Sequence, residues 1–165
     1  MKTRRILLGG AGLVIVGLVV AVVIIGPSDF FLPEQSTDVD EASPTGDVEV
    51  LKRGTFVGTA GHEVSGTVQL LRDGDGLFLR FEAFQQTQGP DVFVYVAPSS
   101  TPDTSAEIAA GTKVLIDGGA DGGESTKEGN FTQRLPEGIG ADEINGIGIW
   151  CERFATPFGY ADLSS

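Results

Sequence analysis

"EVSGTVQLLRDGDGLFLRFEAF", residues 63–84, decides the fold. Two apolar runs, EVSGTVQLL and GLFLRFEAF, flank RDGDG. Asp-Gly repeated between apolar runs specifies a β-hairpin. Outward from this hairpin the text stays β-like. "DVFVYVA" (91–97) is an almost wholly apolar strand after the turn-forming "GP". "TKVLID", "NFTQRLP", "INGIGIWCERF" and "FGYADL" follow, separated by Gly, Asp and Pro clusters. Only "SAEIAAG" (105–111) reads as a turn or two of helix. Short strands at this spacing predict an all-β, antiparallel sandwich or barrel over residues 47–165, taken here as β-sandwich-like.

The N-terminus has a different grammar. "MKTRR" (1–5) forms a basic tail ahead of an uncharged run from Ile6 to Ile25, which "GP" ends. As a helix at ~1.5 Å per residue, 6–25 measures ~30 Å, the thickness of a bilayer's hydrocarbon core. A cleaved signal peptide has an apolar region of only ~7–15 residues and a small-x-small cleavage site. "VVIIGPSDF" offers no convincing site of that kind, so an uncleaved single-pass anchor is expected. The basic flank places the N-terminus in the cytoplasm and the domain outside the cell membrane. Residues 26–46, rich in Ser, Thr, Pro and acids, read as a flexible acidic linker.

Charge bounds the partners. All 23 Asp and Glu follow the apolar run, whereas three of the 11 Lys and Arg precede it. Nucleic acid is therefore a poor partner for the exported part. Few lysines, with many Gly, Ala, Thr and Asp residues, resemble the surface of a salt-adapted, halophilic protein, where concentrated salt screens self-repulsion. The alternative is an ordinary acidic secreted domain.

One cysteine, Cys151, rules out an intrachain disulfide. Two readings stand open for it. As a free cysteine it is a small buried hydrophobe, or it is a redox thiol in an electropositive, accessible site. Arg153 is the nearest cation in sequence and a candidate thiolate stabiliser. In a regular strand it points the same way as Cys151, as Ile149 does, with Trp150 opposite. His62, the single histidine, is the candidate partner of the thiol. One histidine and an initiator methionine do not make a blue-copper set, and no Cys-x-x-Cys-His haem attachment is present. No metal site and no cofactor is evident in this chain. "DGGADGGES" (117–125) reads as a solvated acidic loop, and "NFT" at Asn130 is a glycosylation sequon. No G-x-S-x-G is present and one histidine supports no familiar triad order, so a stand-alone enzyme is not indicated.

"GTFVGTAGHEVSGTVQL", "LFLRFEAFQQTQGPDVFVYVAP", "KEGNFTQRLP" and "IGIWCERFATPFGYADL" occur in that order over about residues 49–163. Together they resemble the DM-thirteen domain, often labelled an electron-transfer domain. The resemblance implies a β-sandwich-like extracellular domain whose one cysteine occupies the position of Cys151. Animal relatives carry it beside DOMON domains, which are linked to haem and redox modules. This chain has neither DOMON nor haem module, so the resemblance implies a separate redox or cell-envelope protein partner, haem-bearing or otherwise. The alternative is a non-catalytic cell-surface binding module in which Cys151 is structural.

Overall fold

The computed structural model describes residues 36–165. The basic tail, the apolar run and residues 26–35 lie outside the described residues. Among those described, no helix is long and apolar enough to cross a membrane. Nine strands follow one another: β1 Thr37–Asp40, β2 Glu49–Gly58, β3 Val64–Asp73, β4 Gly76–Gln86, β5 Val92–Ala97, β6 Thr112–Val114, β7 Lys127–Arg134, β8 Gly146–Cys151 and β9 Thr156–Asp162. One short helix, α1 (Ser105–Ala109), precedes β6 and is closed by a Thr104–Glu107 capping box.

The all-β class is as the sequence predicts, and of the two architectures its spacing allows, the sheet takes a barrel-like curl rather than the sandwich. The strands make one sheet in the order β1-β7-β4-β3-β2-β9-β8-β5-β6, curled into a half-barrel. The curl passes through β2. Glu49–Thr55 pair with β3, while Phe56–Gly58 pair with β9. Bulges bend the neighbouring ladders: register breaks between Ser65 and Thr67, and again between Phe81 and Phe84. Gly66 sits at φ +101°, where a Cβ would lie 2.6 Å from the carbonyl oxygen of Ala83. Only glycine fits that approach.

Inside the curl, alternate side chains of the strands meet in one core. Phe56, Phe81, Phe84 and Phe131 are buried at its centre. Phe81 and Phe131 stack with centroids 4.5 Å apart, and Phe84 meets Phe81 edge-on at 5.2 Å. Truncating such a ring costs ~3–5 kcal/mol.

Two features depart from the sequence reading. The ladder is not wholly antiparallel, because β1 pairs with β7 in parallel, from Thr37 opposite Lys127 to Asp40 opposite Asn130. And β1 arises from the stretch read as linker. It docks through polar contacts, which apolar periodicity does not announce. The Glu41 carboxylate accepts from Lys127 Nζ at 2.8 Å and from the Thr132 amide at 2.9 Å. Arg80, only 4% exposed, donates to the carbonyls of Glu41 and Ala42 at 2.9 and 3.3 Å. A buried guanidinium thus finds acceptors in the incoming backbone.

The β3–β4 hairpin forms at Asp73–Gly76 as its Asp-Gly repeat predicts. Asp73 accepts from the Asp75 amide at 2.9 Å and from both Nη atoms of Arg134 on β7. The Arg134 hydrogen bonds hold its carboxyl at about 2, below the ordinary 3.8. A depressed folded-state value means that the pair's contribution is present above about pH 4. It is lost as pH falls toward about 2. Melting temperatures of wild type and Asp73→Asn should therefore differ modestly above pH 4, because the pair is exposed, and converge near about pH 2. A gap that persists at the acid end would remove this assignment.

Candidate functional site

β8 lies between β5 and β9, and every residue of it is buried. Alternation divides its side chains. Ile147, Ile149 and Cys151 enter the main core, while Trp150 joins Phe93, Tyr95 and Ile108 on the opposite face. Cys151 is a free cysteine with no exposed surface. Its Sγ–H donates to the carbonyl of Pro90 at 3.1 Å.

Pro90 belongs to a corner, Gly89–Asp91, that leads into β5. A Cβ at Gly89 would lie 2.9 Å from Phe158 Cζ, so glycine lets the corner close against β9. Asp91 takes φ +57°, a conformation costing a non-glycine residue on the order of 1 kcal/mol. Three hydrogen bonds hold it there. Its amide donates to Glu124 Oε1 at 2.9 Å, its carbonyl accepts from the Glu152 amide at 2.9 Å, and its carboxylate accepts from Arg153 Nε at 2.6 Å.

Cys151, His62 and Arg153 all lie at the same end of the half-barrel, where β2, β4 and β8 finish and β3, β5 and β9 begin. They do not combine as one set. Arg153 is drawn away from the thiol because β8 ends at Cys151 and the chain turns; its guanidinium pairs with Asp91 instead. His62, half-buried in the β2–β3 turn, stacks on Phe158 with centroids 3.7 Å apart and planes 11° from parallel. Phe158 in turn abuts Gly89. His62 thus bears on the thiol's corner through a phenyl ring.

Sequence reasoning missed Asp91 and Glu124. "GPD" announces a turn, but nothing local pairs its aspartate with an arginine 62 positions away. The 117–125 loop is only partly solvated. Asp117 and Asp121 are exposed, whereas Glu124 and Ser125 are each 1% exposed. Ser125 Oγ donates to Gln86 Oε1 at 3.0 Å, and its amide donates to the carbonyl of Val92. The loop turns inward to carry these groups to the corner. Asn130, the sequon residue, spends its amide on the Ala83 N–H and on Asp40. Among the described residues no three His, Cys, Asp or Glu gather as a metal-binding group.

A curled all-β sheet enclosing one buried, hydrogen-bonded thiol defines a single-cysteine β domain. The chain belongs to the electron transfer DM13 family, whose model matches residues 55–163. The match takes in Cys151, His62, Arg153 and the Gly89–Asp91 corner, and begins after β1 and half of β2. No curated protein and no solved structure matches the chain.

Cys151→Ser keeps a donor for Pro90 but sets a hydroxyl beside Ile149 and Val92 in the core. It should cost about 1–3 kcal/mol in urea unfolding. An unchanged midpoint would contradict this packing.

Proposed function

We propose that this chain is a membrane-anchored, extracytoplasmic redox domain in which Cys151 is the reacting thiol and the Gly89–Asp91 corner is its gate. The family supports an electron-transfer role, and the uncharged run at 6–25 with its basic flank supports the anchor. The observation that carries the thiol's part is its partner. Cys151 has no exposed surface, yet its polar contact is a carbonyl of a half-buried corner latched from the surface by Arg153 and Asp91. Opening that corner frees the sulfur without unfolding the sheet.

The thiol acts only after losing its proton, since the thiolate is the nucleophile. With the corner open, solvent takes that proton. The thiolate then attacks a disulfide of a cell-envelope partner: a Cys151–sulfur bond forms, the partner's S–S bond breaks, and its other sulfur leaves as thiolate. A second partner thiol reverses the step. With no second cysteine in the chain, the disulfide chemistry is necessarily intermolecular.

The surface charge fits a salt-rich exterior, with most of the scarce cations engaged in ion pairs and most of the excess acids left to solvent. A second reading, a binding module with a structural cysteine, is favoured by the complete burial of Cys151.

Iodoacetamide labelling of the folded full-length chain separates the two. The gated thiol labels slowly through local opening. Arg153→Ala, which removes an exposed latch worth ~0.2–1 kcal/mol, should speed labelling by up to about five-fold. Labelling that follows global unfolding alone, with no change in Arg153→Ala, would leave the structural reading.

The anchor has its own check. Full-length protein should stay with membranes through a carbonate wash. Release into the supernatant would overturn it.

A further inference from the structure

A second group of chemistry-bearing side chains lies on the outer face of the sheet, turned away from Cys151. Tyr95 of β5 and Trp150 of β8 share a buried cluster with Phe93 and Ile108. Phe93 stands directly opposite Trp150 in the β5–β8 register, and Tyr95 is two residues along the same face. The Tyr95 hydroxyl donates to Glu152 Oε1. Lys113 pairs with the same carboxylate oxygen, and its Nζ also lies 3.9 Å from the Phe93 ring centroid.

We propose that Tyr95, hydrogen-bonded to Glu152 and set beside Trp150, is a one-electron redox site that exchanges electrons with a one-electron carrier and its proton with Glu152. Phenol oxidation is a proton problem as much as an electron problem. Burial, with the negative charge of Glu152, pushes the Tyr95 phenol well above its ordinary range, so it does not ionise first. Once an electron leaves, the phenol becomes strongly acidic and needs a base within hydrogen-bond reach. Glu152 is that base. The hydrogen bonds from Lys113 and from Tyr95 lower its carboxyl, keeping it ionised at neutral pH.

The step balances in one exchange. One electron passes from the Tyr95 ring to the oxidant, the phenolic O–H bond breaks, and the proton forms a new O–H bond on Glu152. The products are a neutral tyrosyl radical, a neutral carboxyl group and a carrier reduced by one electron. Reduction runs the same path backwards.

Placement suits the task. Tyr95 is 8% exposed, which shelters a radical from solvent. The Lys113 and Glu152 side chains that cover it are 34% and 38% exposed, so a carrier can approach to within a side chain's thickness. Nothing in this step involves the thiol. The site therefore stands or falls independently of Cys151.

The test oxidises the full-length chain in detergent with hexachloroiridate(IV), a one-electron oxidant. Freeze-quenched samples are read by electron paramagnetic resonance, in wild type and in Cys151→Ser. A tyrosyl signal is expected in both. It should persist in Tyr160→Phe, the only other tyrosine, and vanish in Tyr95→Phe. Glu152→Gln should slow the oxidation at least ten-fold, and heavy water should slow the wild type, because the proton moves with the electron. Glu152 is a surface residue, so this arm holds even if Tyr95→Phe packs poorly. A radical on Tyr160 or Trp150 alone would overturn the proposal. So would a rate indifferent to both Glu152→Gln and heavy water.

Discussion

The division of β2 between two partners is the constraint on which the rest depends. A strand that pairs with β3 along its first seven residues and with β9 along its last three cannot lie in a flat sheet. It must turn its neighbours toward one another, and the inward faces then have only each other to pack against. The phenylalanine cluster is the consequence, as is the gathering of loop ends. Because β4, β8 and β2 finish where β5, β9 and β3 start, residues far apart in sequence converge at one rim. The corner at Gly89–Asp91, the turn at His62 and the turn at Arg153 are neighbours for that reason.

Much of this was legible in the sequence, and the reason is locality. The Asp-Gly hairpin, the apolar strand at 92–97 and the opposite facing of Cys151 and Trp150 all follow from period-two patterning over a few residues. What escaped depends on distance or on polarity. β1 is written in acidic residues, so nothing apolar marks it, and its docking rests on a lysine and an arginine contributed by β7 and β4. Glu124 sits among glycines and aspartates, and composition cannot separate one inward carboxylate from its solvated neighbours. A curled sheet and a sandwich write the same alternation into their strands. Only register breaks and the sharing of β2 tell them apart. Arg153 shows the limit most clearly: reading the strand two residues past its end aimed the side chain at the wrong neighbour.

Cations are scarce here, and the structure spends them sparingly. Lys52 reaches the carbonyl of Ile144 and the side chain of Asn145, and Lys113, Lys127, Arg134 and Arg153 each join an acid on another element. In so acidic a protein these positive charges act as rivets between strands and loops, and most of the remaining carboxylates face water, with Glu124 the buried exception that holds the Asp91 amide. Elsewhere in the interior an amide and a hydroxyl serve instead, as Gln86 and Ser125 hold each other.

Every open sheet ends in two rows of unpaired backbone groups, and such rows invite pairing between molecules. At one margin β1 occupies the flank of β7 and turns outward a strand carrying Asp38 and Asp40. At the other, β6 is only three residues long, too short to template much of a ladder. Like charge repels a copy at the first margin, and brevity starves it at the second. The half-barrel can therefore remain open without becoming adhesive.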